Sequence, residues 1–117
     1  MIRVKSIYDR ASDDDAFRVL GEPVWPTGVS REKTVLNAWL RDLAPSPGLY
    51  DQYSRGLVTW DDFVVRYHGE LDRNRDFFRN LQVHNHNGGL TLIHGSRNAD
   101  RNPAVALKML LEKEDPL

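Results

Sequence analysis

The sequence predicts an α/β domain built on a small mixed or parallel sheet of about three strands packed by helices. Three observations carry this. Residues 2–7 set Ile2 and Val4 against Arg3 and Lys5, the period of two expected of a strand with one solvated face. L-T-L-I-H at residues 90–94 is nearly continuously apolar, which suits a strand buried on both faces and makes it the candidate for the sheet's centre. Helical stripes of apolar residues lie between and after the strands. With 117 residues, one domain over 1–117 is the expectation.

Each element has its own signals. After the first strand, Asp13, Asp14 and Asp15 read as a solvated connection, because three adjacent carboxylates point in different directions and lack the alternation of a calcium loop. Residues 17–20 form a second strand, which Gly21 and Pro23 end. V-W-P-T-G-V-S contains Pro26 and Gly28 and reads as a structured loop anchored by Trp25. Ser30 is then expected to cap a helix over residues 31–43, where Val35, Leu36, Trp39, Leu40 and Leu43 recur at helical spacing before Pro45.

Ser46 followed by Pro47 starts a short helix that runs to Gly56. Thr59 caps the next, and Trp60, Phe63, Val64, Tyr67, Leu71, Phe78 and Leu81 predict a single helix of about five turns. H-N-H-N-G-G is read as a turn with His84 and His86 at an exposed tip. Asn102 and Pro103 open a last helix bearing Val105, Ala106, Met109 and Leu110. The tail E-K-E-D-P-L is expected to fray. The three tryptophans are expected to close edges of the core.

Composition excludes several functions. Sixteen basic and seventeen acidic residues give a net charge of -1, which disfavours nucleic acid or anionic lipid held by bulk electrostatics. Without cysteine there are no disulfides, thiolate metal sites or cysteine nucleophiles. No apolar run reaches membrane-spanning length and the first residues lack a signal peptide's apolar stretch, so a cytoplasmic protein is the expectation. Neither phosphate-loop, dinucleotide-binding nor serine-hydrolase motifs occur. His84 and His86 lack a third ligand at defined spacing, so no metal or cofactor is expected.

The candidate site lies in the loops after the strands, where open α/β sheets bind ligands. It comprises Tyr8 and Asp9 after the first strand and Ser96, Arg97 and Asn98 after the last. Amides near Ala104, at the start of the last helix, offer an anion contact; the alternative is that these polar residues simply cap that helix. His94 ends the buried strand, where a satisfied structural imidazole is the plainer reading. Arg10, Arg97 and Arg101 discriminate between partners: convergence on one cleft favours a small anion, a broad stripe favours a polymer.

The pieces I-Y-D, R-V-L, W-P, G-V-S, W-L-R-D-L-A-P-S (residues 39–46), W-D-D-F and R-Y-H-G-E-L resemble, in order and spacing, the YeaO-like bacterial proteins, a domain-of-unknown-function family. The resemblance implies a small cytoplasmic α/β domain without an assigned activity. It also adds Glu22 and Trp25 to the candidate site, because the family's D-R-x-W-P-R-G stands here as E-P-V-W-P-T-G. Pro23 and Thr27 thus replace two arginines, and Arg55 and the R-N-P at residues 101–103 replace family histidines, which implies an altered ancestral polar site. The resulting expectation is a small-ligand or protein-binding module, its partner a small anion or a protein. An enzyme acting on a small anionic substrate through Glu22 and residues 96–98 is the alternative, and a nucleic-acid-associated protein the second.

Overall fold

The computed structural model describes residues 2–115; Pro116 and Leu117, the end of the tail expected to fray, lie outside the described residues. Four strands, β1 (Ile2–Ser6), β2 (Phe17–Leu20), β3 (Ala38–Trp39) and β4 (Leu90–His94), form one sheet in the order β1-β4-β2-β3. Every pairing is parallel. β4 is central and buried along its whole length, as its apolar run predicts. The additional strand, β3, is a two-residue edge that the sequence does not announce.

The two faces are covered differently. Ile2, Val19, Leu90 and Leu92 pack against four helices, α1 (Pro47–Ser54), α2 (Trp60–Leu71), α3 (Arg75–His86) and α4 (Pro103–Lys113). On the opposite face Ile7, Leu20 and Ile93 pack under Trp25, Val29, Leu36 and Trp39, so a folded-back loop takes the place of a helix layer. All three tryptophans are half-buried at these margins. No helix among the described residues is long and apolar enough to cross a membrane.

The helix expected over residues 31–43 does not form, and Ser30 caps none. Instead the chain runs beside β2: Asn37 brackets Arg18, its side-chain oxygen accepting the Arg18 N–H at 2.7 Å and its own N–H reaching the Arg18 carbonyl at 2.8 Å. Leu40 N–H donates to Leu20 O at 2.9 Å, and a 3₁₀ turn over Arg41–Leu43 follows. Backbone groups that a helix would use internally are spent on the sheet edge.

The long helix is two helices. α2 ends at Leu71, a 3₁₀ turn covers Asp72–Asn74, and Asn74 leaves helical geometry at φ -126 and ψ 47. The Asn74 side-chain amide donates to Asp42 O at 2.8 Å, which ties the break to the turn before α1. α3 then extends through His86, so His84 and His86 lie in its last turn and not at a loop tip. His84 stacks on Phe17 at 3.7 Å, and His86 sits 3.1 Å from Asp115. Glu112 and Lys113 belong to α4, and the Glu114 carboxylate accepts from Arg75 at 2.8 Å, so that part of the tail is fixed.

Asp15 overturns the solvated-loop reading of the three aspartates. Residues 13–15 form a 3₁₀ turn with a capping box from Ser12, and the Asp15 carboxylate is buried. It bonds Arg18, Lys5 Nζ at 3.0 Å and the Ser12 N–H at 3.0 Å, while Thr91 donates to its carbonyl at 2.6 Å. Burial alone would raise this carboxyl; the bonds from Lys5, Ser12 and Arg18 outweigh it and hold the group below its ordinary value.

Candidate functional site

The site follows from the direction in which each strand's connection leaves. After β1 and β2 the chain passes over the face that carries Asp15, Leu20 and Ile93, whereas after β4 it enters α4 on the helical face. Neighbouring strands whose connections part in this way leave a crevice at their carboxyl ends. Three adjoining cavities open there. The first, about 430 Å³, is lined by Tyr8, Glu22, Trp25, Thr27, Tyr50 and Arg97 among others. A second of about 460 Å³ takes in Tyr8, Asp9, His94, Ser96 and Arg97. The third, about 470 Å³, lies between α1 and the start of α4 and includes Tyr50, Tyr53, Arg97, Asn98 and Arg101.

The walls are held by backbone contacts. Trp25 donates its indole N–H to Val29 O at 2.8 Å, closing the loop that Gly28 turns at φ +79. Trp39 meets Trp25 edge-on at 5.3 Å and donates to Glu22 O at 2.8 Å, with the Arg31 guanidinium over both rings. Gly95 is required where it stands, since a Cβ there would lie 2.8 Å from the Pro26 ring. Close packing of these two loops sets the width of the first cavity.

Glu22 joins three elements. Its carboxylate accepts the Gly95 N–H at 3.0 Å and lines the first cavity beside Tyr50, and the residue is only 2% exposed. Burial raises its pKa above the ordinary 4.5, with the Gly95 N–H and the Tyr50 hydroxyl opposing. The unfolded chain therefore ionises first as pH rises through 4.5, and the native state loses stability until the native carboxyl also ionises. Replacing Glu22 by Gln removes this loss. In urea titrations from pH 4 to 7, the stability of Glu22→Gln relative to wild type is expected to grow with pH; a constant difference would refute the raised carboxyl.

His94 is 3% exposed. Its Nδ1 faces the Ser96 N–H at 3.2 Å, and since an amide only donates, Nδ1 accepts and the ring proton sits on Nε2. Burial lowers the imidazole's pKa, with the charge of Asp9 opposing, so the ring is neutral at pH 7.

The sequence-derived residues divide by role. Tyr8, Glu22, Trp25 and Arg97 line the first cavity, Asp9 and Ser96 the second, and Ser96 and Asn98 the third. Several also shape their own loops: Asp9 Oδ2 accepts the Ser6 N–H at 3.0 Å, Ser96 Oγ accepts the Asn98 N–H at 3.1 Å, and Asn98 Oδ1 accepts from Asp100 and Arg101. The amides at the start of α4 are partly consumed, because Asn102 takes those of Val105 and Ala106. Thr27 faces the first cavity and Pro23 does not. Arg97 and Arg101 share the third cavity, whereas Arg10 lines none of the three. Neither Arg97 nor Arg101 has a carboxylate partner among the described residues, and no acidic residue lines the third cavity. The sequence does not point to Tyr50 and Tyr53, because nothing local links α1 to strand ends some forty residues away.

Comparison with known proteins agrees with the resemblance. The chain is 27% identical over 106 residues to the uncharacterized protein YeaO of Escherichia coli K12, covering 91% of this chain and 92% of that one. Uncharacterized proteins of Mycobacterium tuberculosis H37Rv and Mycobacterium bovis are each 29% identical over 110 residues, 94% of this chain and 92% of theirs. No solved structure matches the chain. The family model described as the inactive DUF488-N3 subclade, DUF488-N3i, matches residues 1–115. With nearly its whole length inside that match, the chain belongs to the inactive DUF488-N3 subclade and is a YeaO-like protein.

Proposed function

We propose that the crevice at the carboxyl ends of β1, β4 and β2 binds a small ligand through an anionic group, and that the protein binds this ligand without transforming it. The observation that carries this reading is Arg97, a guanidinium with no ion pair among the described residues that lines all three cavities. Arg101 beside it supplies a second cation in the cavity free of acidic residues, which makes that cavity the anion's seat. Convergence of two arginines on one concave surface, with Arg10 apart, favours a small anion over a nucleic acid strand. Cavities of this size suit small molecules better than a protein surface.

Binding is favoured over catalysis by Glu22, whose buried carboxylate is engaged by the Gly95 N–H and so fixes the loops around the crevice. The family's description as an inactive subclade points the same way.

Calorimetric titration with inorganic phosphate and sulfate tests the reading. A charge-assisted contact of about 1.5–3 kcal/mol corresponds to roughly ten- to hundredfold in affinity, so Arg97→Ala should weaken phosphate binding by that factor. Arg10→Ala should leave it unchanged. Equal losses in both variants, or none in Arg97→Ala, would refute the assignment.

A further inference from the structure

The second cavity has a chemistry that the anion does not use. Its wall contains the Nε2–H of His94, a neutral donor on a nearly fully buried side chain, with no acceptor among the described residues. Among the described residues the one fully buried side-chain polar atom without a partner is Asn85 Oδ1, so His94 Nε2 keeps contact with solvent, and this is the cavity that His94 lines. Asp9 stands on the same wall; its Oδ2 holds the Ser6 N–H and its Oδ1 accepts nothing from the described residues. Tyr8 completes the wall with a ring that is 66% exposed and a hydroxyl without a hydrogen-bond partner among the described residues. The Lys5 ammonium on the same wall is already committed to Asp15 and to Arg10 O.

A carboxylate acceptor beside an uncharged N–H donor suits neither a second anion, which Asp9 would repel, nor an apolar group, which would leave both unsatisfied. It suits hydroxyl groups, each of which gives a proton to one partner and accepts one from the other. An exposed aromatic ring alongside offers a flat surface to the C–H face of a sugar. Arg97 lies between this wall and Arg101, which places the hydroxyl-binding and anion-binding parts on either side of one guanidinium.

We infer that the ligand is a sugar phosphate, its phosphate held between Arg97 and Arg101 and its hydroxyls by Asp9 and His94. This rests on the anion-binding reading above and adds the chemical class of the ligand.

The test compares ribose 5-phosphate with inorganic phosphate by calorimetry on the full chain. Ribose 5-phosphate should bind at least tenfold more tightly than inorganic phosphate. Asp9→Asn, an exposed substitution that keeps an oxygen to cap Ser6, should reduce that advantage to threefold or less without weakening inorganic phosphate, since it removes a negative charge. His94→Asn, which keeps an acceptor near the Nδ1 position for the Ser96 N–H and has no donor at the Nε2 position, should do the same, its folding checked by its thermal midpoint. If both ligands bind through Arg97 with equal affinity, the sugar assignment fails and the anion reading stands. If ribose 5-phosphate keeps its full advantage in Asp9→Asn, the hydroxyl wall is misplaced and the assignment fails. If neither ligand binds, both readings fall together.

Discussion

Replacing Phe63 by alanine is expected to lower the unfolding free energy by about 3–5 kcal/mol, measured as a shift in the urea midpoint at unchanged slope. Phe63 is completely buried at the centre of an aromatic cluster, with Tyr53 stacked at 4.5 Å and Trp60 and Tyr67 each at 5.8 Å. Tyr67 is pinned from its far end, its hydroxyl donating to Leu43 O, and burial raises its pKa. The cavity left by Phe63→Ala therefore has few ways to collapse, which places the loss toward the upper part of the range. A midpoint within 1 kcal/mol of wild type would mean that α1 and α2 do not depend on this contact.

Asp15→Ala is expected to cost a similar amount, about 3–5 kcal/mol, for an electrostatic reason. Removing the carboxylate strands the buried Arg18 guanidinium and frees Lys5 and the Ser12 N–H, so three donors lose one acceptor together. Asp15→Asn keeps an oxygen and should cost less than Asp15→Ala. Because the native carboxyl ionises more readily than the unfolded one, its contribution is present above the ordinary aspartate value of 3.8 and is lost as pH falls through the lowered native value. Acid unfolding of Asp15→Asn should lack that part of the wild-type slope. An alanine variant as stable as wild type would show the cluster to be replaceable, as some buried ion pairs are.

The parallel strands could be read from the chain because alternation and a doubly buried run are local properties. β1, β2 and β4 lie where the pattern puts them, and α1 and α4 start at Ser46 and Asn102, whose side chains cap them. The helix expected over residues 31–43 failed for a long-range reason. Leu36 and Trp39 pack on one side of the sheet while Leu40 and Leu43 pack on the other, so an apparent single stripe is divided between two clusters. Spacing alone does not reveal such a crossing. The break after α2 was hidden because Phe78 and Leu81 stay in phase across the turn at 72–74.

The three aspartates show a similar limit. Composition makes them one charged run, yet only Asp15 is buried, and it is chosen by Arg3, Lys5, Arg18 and Thr91 on strands that the chain brings together later. At the crevice, loops following strands are visible in sequence, so Tyr8, Asp9 and residues 96–98 were available. The meeting of Glu22 with Gly95 and Tyr50 depends on tertiary contacts across 73 and 28 positions, beyond any local pattern.

Where inorganic phosphate settles on the protein tests the central claim most directly. In a heteronuclear NMR titration, the account predicts saturable shifts concentrated in residues 95–101 and in the Arg97 and Arg101 guanidinium signals, with Arg31, Arg41 and Arg3 undisturbed. Shifts centred on the Trp25–Trp39–Arg31 edge or spread evenly over surface arginines would contradict a binding site at the carboxyl ends of the strands.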